Sequence, residues 1–213
     1  MTKIKICGIK TLTDALSAIE AGADYLGFNF YPKSVRFIEK EMCAEITSVL
    51  KREHPQIKLV GVFVNLPVEE VKAILETCHL DLAQLHGDET PEILESFNGK
   101  AFKAIRLSST SIDESVFPFL KSVPESASPA FLIDAAVKGV YGGSGVTADW
   151  SAAAELAKKY SLLLAGGLTP ENVADAVRQV KPWGVDVASG VESTAGVKDA
   201  SKMKAFVQAV RNG

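Results

Sequence analysis

Residues 161–188 read SLLLAGGLTPENVADAVRQVKPWGVDVA, and this segment sets the architecture of the chain. The apolar runs 161–165 and 184–188 have the length and aliphatic composition of buried strands. Between them, residues 170–180 repeat their apolar positions at helical spacing. Thr169-Pro170-Glu171 offers a capping hydroxyl, a proline for the first helical position and an acid for the first turn. The segment therefore predicts a strand–helix–strand unit with parallel strands.

The same alternation recurs along the whole chain about eight times, at 213/8 ≈ 27 residues per unit. This spacing favours an α/β fold, a (β/α)8 TIM barrel in which residues 1–213 form a single domain. A doubly wound open sheet is the alternative, but GxGxxG does not follow the first strand. Strands are predicted at 3–7, 24–28, 58–64, 81–85, 101–106, 130–134, 161–165 and 184–188. Helices are predicted at 12–21, 39–52, 67–77, 90–97, 112–121, 149–159, 170–180 and 199–211.

Composition excludes several classes of protein. Of the 213 residues, 47% are hydrophobic and 23% are charged, which is typical of a globular protein. The net charge is 23 − 26 = −3, with no dense basic stripe, so nucleic acid is not expected as a partner. Cys7, Cys43 and Cys78 are odd in number and widely spaced, and the three histidines do not cluster, which argues against disulfides and against a structural zinc site. Without a signal-peptide core or a long apolar run, we expect a cytoplasmic protein that does not enter a membrane.

Glycines follow the last two predicted strands. In a barrel of this kind the active site lies at the carboxyl ends of the strands, and the loops after strands seven and eight often hold phosphate. Gly166 and Gly167 follow strand seven, and Ser189 and Gly190 follow strand eight. Glycines allow backbone N–H groups to approach a phosphate, and the helix starts add partial positive charge. These four residues are the predicted phosphate site, although entry turns of ordinary helices would look similar.

Cys7 and Asp134 end predicted strands one and six, which lie almost across the ring from each other. Pleat alternation places Ile4 and Ile6 on the helix side and Cys7 on the inner side of the barrel. A thiol and a carboxylic acid above one cavity can serve as base and acid, provided that the thiol loses its proton and the acid keeps one for part of the cycle. The alternatives are a cysteine that only packs and an aspartate that only caps a helix.

Further polar residues follow other strands. Arg36, in the loop after strand two, can hold a carboxylate in a bidentate fork. Gln84 and His86 end strand four and are candidates for lining the site, as is Arg106 after strand five. Lys5 and Asp186, on strands one and eight, would form an ion pair if both point inward. Each of these residues also has a purely structural interpretation.

The chain resembles the phosphoribosylanthranilate isomerase family over nearly its whole length. The similarity rests on motifs that occur in the family's order. They are Lys5-Ile6-Cys7-Gly8-Ile9, the stretch from Gly22-Ala23-Asp24 to Tyr31-Pro32-Lys33-Ser34, 60–65 (VGVFVN), 84–88 (QLHGD), 142–145 (GGSG), 165–173 (AGGLTPENV) and 186–192 (DVASGVE).

The resemblance implies a (β/α)8 barrel without a metal or organic cofactor, acting on a small phosphosugar, N-(5-phosphoribosyl)anthranilate, by an Amadori rearrangement. It further implies that Cys7 is the general base, that Asp134 is the general acid and that Arg36 binds the anthranilate carboxylate. Gly166, Gly167, Ser189 and Gly190 would bind the phosphate. Where the family has a lysine in the loop after strand six, this chain has Val146, which removes any contribution of that lysine.

Two other classes of function fit the barrel less well. The related histidine-pathway isomerase would be expected to have an aspartate in place of Cys7, and a metal-dependent epimerase needs histidine and aspartate ligands on several strands. A non-enzymatic phosphate-binding barrel would have little use for Cys7, Asp134 and Arg36 together.

Overall fold

The computed structural model describes residues 1–106, 118–119, 129–134 and 150–213, and within them eight parallel strands close into a barrel in the order β1 to β8. The strands are β1 (Lys3–Cys7), β2 (Tyr25–Asn29), β3 (Lys58–Phe63), β4 (Leu82–Leu85), β5 (Ala101–Arg106), β6 (Phe131–Asp134), β7 (Leu162–Ala165) and β8 (Gly184–Val187). Every strand lies within one residue of its predicted bounds. The predicted fold class is confirmed.

Helices connect successive strands on the outside of the barrel. They are α1 (Leu12–Ala21), α2 (Lys40–Glu53), α3 (Val68–Thr77), α4 (Pro91–Glu95), α5 (Ser151–Ala157), α6 (Val173–Val180) and α7 (Ala200–Asn212). Of the predicted helix 112–121, only residues 118–119 are described, and both are helical. The glycine motif 142–145 and Val146 lie outside the described residues. In the part of the chain that is described, no helix is long and apolar enough to cross a membrane.

The start of α6 differs from the prediction. Thr169 and Pro170 precede the helix as part of a turn, and α6 begins at Val173 with Asn172 at its N-cap. The Asn172 side chain accepts a hydrogen bond from the Thr169 N–H at 2.8 Å and donates one to the Gly167 carbonyl at 2.9 Å. Because these bonds favour a turn over residues 167–172, the glycine loop after β7 is longer than the sequence indicated.

Pleat alternation divides the strand residues between two environments. Ile4 and Ile6 pack in the large apolar cluster between the sheet and the helices, as predicted. The inner side holds a smaller apolar cluster that includes Tyr25, Phe102 and Leu132. The inner wall also carries Lys5, which is 0% exposed. The interior of the barrel is therefore partly charged, which positions ionisable groups below the carboxyl ends of the strands.

A short hairpin that the sequence did not predict follows β8. A 3-10 turn at Ser189–Val191 leads into β9 (Glu192–Thr194), which pairs antiparallel with β10 (Val197–Lys198). At the tip of the hairpin, Gly196 lies so close to the backbone carbonyl of Val35 that a β-carbon there would come within 2.7 Å of it. The hairpin thus packs against the loop after β2, where Arg36 lies.

The loops after β7 and β8 touch at Gly190. A β-carbon at this position would overlap the backbone carbonyl of Leu168, so only glycine fits without movement of one loop. Gly99 provides a contrast, because its φ of +80° strains any larger residue although nothing lies within 4 Å of the added atom.

We expect Gly190→Ala to lower the free energy of unfolding by about 2 kcal/mol or more, since the clash is with backbone. Gly99→Ala should cost about 1 kcal/mol, from its left-handed backbone alone. Urea denaturation at pH 7 measures both. A Gly190→Ala cost no larger than that of Gly99→Ala would show that the two loops can separate freely.

Candidate active site

A cavity of about 330 Å³ opens at the carboxyl ends of the strands. Nine of the ten residues that the sequence offers for the site line it: Cys7, Arg36, Gln84, His86, Arg106, Asp134, Gly166, Gly167 and Ser189. The tenth, Gly190, is not among the lining residues and packs against Leu168 instead. Cys7 and Asp134 therefore open onto the same cavity, although they end the first and the sixth strand.

Cys7 lies at the end of β1 in a buried and charged environment. Its neighbour on β2 is Gly27, where a β-carbon would come within 2.8 Å of the Cys7 Sγ and 3.1 Å of the Lys5 Nζ. The Lys5 ammonium in turn binds the Asp186 carboxylate at 2.8 Å, which confirms the predicted ion pair. Burial raises the pKa of the Cys7 thiol, and the nearby charges of Lys5 and Lys198 oppose that rise.

Asp134 ends β6 next to two basic residues. It is paired in register with Arg106 on β5, so these two side chains leave the barrel at the same level. Both also interact electrostatically with His86 at the end of β4. Burial and the Arg106 charge lower the pKa of the His86 imidazole, while Asp134 partly opposes them. His86 is therefore a neutral imidazole at neutral pH.

Gln84 determines which nitrogen of His86 carries the proton. Its amide nitrogen lies 3.0 Å from Nδ1 of His86 and can only donate, so a neutral imidazole has its proton on Nε2. Gln84 is buried, and among the described residues its Oε1 has no hydrogen-bond partner. In this tautomer Nε2 of His86 is a hydrogen-bond donor.

A second ion pair holds the loop after His86. Lys103 on β5 binds Glu89 at 2.9 Å, and both are buried. Glu89 also accepts hydrogen bonds from the N–H groups of Gly87 and Asn65, each at 2.8 Å. These residues line a wider cavity of about 690 Å³, which shares His86 and Arg106 with the smaller one.

The Arg36 loop is held by hydrogen bonds that begin at Asn29. The Asn29 side chain accepts from the Tyr31 N–H at 2.9 Å and contacts the Ser34 hydroxyl at 3.3 Å, and that hydroxyl accepts from the Arg36 N–H at 3.1 Å. Beneath it, Gly8 has a φ of +82°, and a β-carbon there would come within 2.6 Å of the Arg36 side chain. Asn29, to which sequence reasoning gave no role, thus shapes the loop.

The guanidinium of Arg36 is already bound by a carboxylate of the protein. Glu192 accepts from Arg36 Nε and Nη2, each at 2.7 Å, so one bidentate face of the guanidinium is occupied. Among the described residues Glu192 is the partner of this side chain, which leaves the second N–H of Nη2 and both N–H groups of Nη1 for a ligand. In the sequence Glu192 only ends the motif 186–192, and nothing in its neighbours along the chain signals this contact.

Glu192 lies at the centre of the contact between hairpin and loop. Besides Arg36, it accepts from Lys198 Nζ at 2.9 Å and from the Gly196 N–H at 3.1 Å. Burial alone would raise the pKa of this carboxyl, but the hydrogen bonds from Arg36, Lys198 and Gly196 outweigh it and hold the pKa at about 2.

The fold and the site together define an enzyme of the barrel class, with ionisable side chains and glycine loops around one cavity at the carboxyl ends of the strands. The profile of the family described as N-(5'phosphoribosyl)anthranilate (PRA) isomerase matches residues 4–209. The chain belongs to this family, whose members are aldose–ketose isomerases of tryptophan biosynthesis. The resemblance seen in the sequence is confirmed.

Individual relatives are similar over nearly their full length. The N-(5'-phosphoribosyl)anthranilate isomerase of Geotalea daltonii is 46% identical over 98% of this chain and 96% of its own. The crystal structure of phosphoribosyl anthranilate isomerase from Thermotoga maritima matches with a TM-score of 0.85 and 37% identity, over 100% of both chains. A structure of such an isomerase in complex with reduced 1-(o-carboxyphenylamino)-1-deoxyribulose 5-phosphate matches with a TM-score of 0.83 and 34% identity, over 100% of both chains.

The lowered pKa of Glu192 predicts a pH-dependent contribution to stability. Because the folded-state pKa of about 2 is below the usual 4.5, the contribution is complete above pH 4.5 and is lost as the pH falls towards 2. We expect Glu192→Gln to be less stable than wild type at pH 7, with a gap in unfolding free energy that narrows steadily below pH 4.5. Urea denaturation of both proteins between pH 3 and pH 7 tests this, and a gap independent of pH would contradict the assignment.

Proposed function

We propose that this protein converts N-(5-phosphoribosyl)anthranilate into 1-(2-carboxyphenylamino)-1-deoxyribulose 5-phosphate by an Amadori rearrangement. The observation that carries the proposal is the single cavity lined by Cys7, Asp134, Arg36 and the two glycine loops. Family membership supports it, and so does the relative bound to a reduced form of that product.

The two anionic groups of the substrate are bound at separate places in the cavity. The phosphate lies against the loops after β7 and β8, where Gly166 has a φ of +94° and Gly167 a φ of +64°. These conformations turn backbone N–H groups in directions that β-branched residues would not allow, and aligned N–H groups bind phosphate. The anthranilate carboxylate binds Arg36 through the N–H groups of Nη1 and Nη2 that Glu192 does not use. Because the protein has a net charge of −3, local groups rather than long-range attraction hold this anion.

Asp134 starts the reaction as the general acid. It donates a proton to the ring oxygen of the ribose, the bond between C1′ and that oxygen breaks, and the nitrogen lone pair forms the imine. Asp134 is paired in register with Arg106 and interacts electrostatically with His86. These two neighbours support a role for Asp134 in proton transfer. The product of this step is an open-chain protonated Schiff base.

Cys7 completes the rearrangement as the general base. As a thiolate it removes the proton from C2′, and the electron pair of that bond moves towards the imine carbon and nitrogen to give an enolamine. Tautomerisation of the enolamine gives the aminoketose. His86 donates through Nε2 to an oxygen of the open-chain sugar, and Gln84 acts on the substrate through His86 by fixing its tautomer.

Loss of either proton-transfer group should reduce turnover without unfolding the protein. We expect kcat to fall at least about 10²-fold in Cys7→Ser and in Asp134→Ala, which is the usual contribution of a positioned acid or base. The assay supplies freshly made phosphoribosylanthranilate and follows its conversion. Cys78→Ser and Asp175→Ala, away from the cavity, are the matched controls and should turn over normally. Undiminished kcat in Cys7→Ser or Asp134→Ala would falsify that residue's role.

Removal of the guanidinium should act mainly on substrate binding. We expect Arg36→Met to raise KM about tenfold or more, since a hydrogen bond to a charged group contributes about 1.5–3 kcal/mol. Steady-state kinetics measure the split between KM and kcat. Arg52→Met, which changes an exposed arginine of α2, is the control and should leave both constants unchanged. An effect of Arg36→Met confined to kcat would contradict carboxylate binding.

A further inference from the structure

The inner wall of the barrel beneath Cys7 carries an ion pair that the steps above do not use. Lys5, two residues before Cys7 on β1, is 0% exposed, and its Nζ lies 2.8 Å from Oδ1 of Asp186 on β8. Lys5 and Asp186 are also paired in register, so the closing strands of the barrel hold them face to face. A lysine this deep in a barrel needs an explanation beyond packing, because apolar residues of similar volume would be as stable or more stable.

Gly27 shows how close the ammonium is to the sulfur. A single β-carbon at this position would lie within 2.8 Å of Cys7 Sγ and within 3.1 Å of Lys5 Nζ. Because Gly27 has no side chain, the thiol and the ammonium share one space beside β2. Since both atoms lie this close to one point, Lys5 Nζ and Cys7 Sγ are within about 6 Å of each other, a distance at which an ammonium favours a thiolate.

We propose that Lys5 is a positioning residue that stabilises the thiolate of Cys7, and that Asp186 keeps Lys5 protonated in the buried interior. The proposal rests on the proposed role of Cys7 as the general base. Lys5 supplies the positive charge that a buried thiolate requires, and the Lys5–Asp186 ion pair thereby takes part in the reaction.

The electrostatics of the three groups agree with this geometry. Burial would lower the pKa of Lys5, but the charges of Asp186 and Cys7 outweigh it and raise that pKa, so Lys5 stays an ammonium. Burial is the largest influence and leaves the pKa of Cys7 above its ordinary value. Among the neighbours Lys5 lowers that pKa most, and Asp186 raises it by less than Lys5 lowers it.

Two other cations act on the thiol from neighbouring elements. Lys198 on β10 lowers its pKa, and Arg36 in the loop after β2 also interacts with it. Both are bound by Glu192, which neutralises part of their charge. Lys5 is therefore the cation with the most direct influence on the sulfur.

The test measures the ionisation of Cys7 separately from turnover. The rate of iodoacetamide alkylation at Cys7 is followed by mass spectrometry of its peptide, which distinguishes it from Cys43 and Cys78, over a range of pH. The proteins are wild type, Lys5→Met, Lys5→Met/Asp186→Asn and Lys3→Met. Lys5→Met leaves the Asp186 carboxylate without its ammonium partner, and the second substitution of the double variant removes that carboxylate. The double variant can therefore be measured even if the single variant does not fold. Lys3 is the matched control, because it lies on the same strand but pairs with Asp24 at the partly exposed end.

We expect the pH midpoint of alkylation to rise by about one unit or more in both Lys5 variants, as for loss of a cation within about 6 Å of the thiolate. The pH at which kcat rises should shift upward by a similar amount, whereas Lys3→Met should match wild type in both. A folded Lys5 variant with an unchanged or lower midpoint would overturn the proposal. A wild-type kcat in Cys7→Ser would instead refute Cys7 as the base, while the alkylation result would stand independently.

Discussion

The closure of the barrel between β1 and β8 is the constraint on which the site depends. β1 pairs with β2 on one side and with β8 on the other, which sets Lys5 opposite Asp186 and Cys7 opposite Gly27. Because all eight strands are parallel, their carboxyl ends meet at one face of the barrel, and residues from distant parts of the chain surround one cavity. A shift of one residue in the register of β1 would turn Cys7 outward towards the helices.

Stability and chemistry are divided between the two sides of the sheet. The outer side of the strands packs against helices with aliphatic and aromatic residues, and most of the apolar burial occurs there. The inner side carries buried charges that cost desolvation energy, such as Lys5 with Asp186 and Lys103 with Glu89. Each of these cations is held by a carboxylate, so the interior stays ordered while still presenting charge to the cavity.

Glu192 holds two distant segments together at the edge of the cavity. It connects Arg36, after β2, with Lys198, on the hairpin that follows the loop after β8. The loop and the hairpin are therefore held against each other through one carboxylate. The same arrangement limits how Arg36 meets a ligand, since Glu192 occupies the Nε side of the guanidinium and a carboxylate can approach only the side formed by Nη1 and Nη2.

The amino-acid sequence by itself determined the strands, the fold class and the strand-end positions of Cys7, Gln84 and Asp134, because period-two burial and capping signals are local properties of the chain. It also indicated the pairing of Lys5 with Asp186 once a barrel was assumed. The sequence did not predict contacts between distant loops. These contacts are the hydrogen bonds from Arg36 to Glu192, the close approach of Gly190 to the Leu168 carbonyl and the space at Gly27. Each depends on how loops and strands far apart in the chain meet. Those distances arise from barrel closure and packing, and no short-range pattern encodes them.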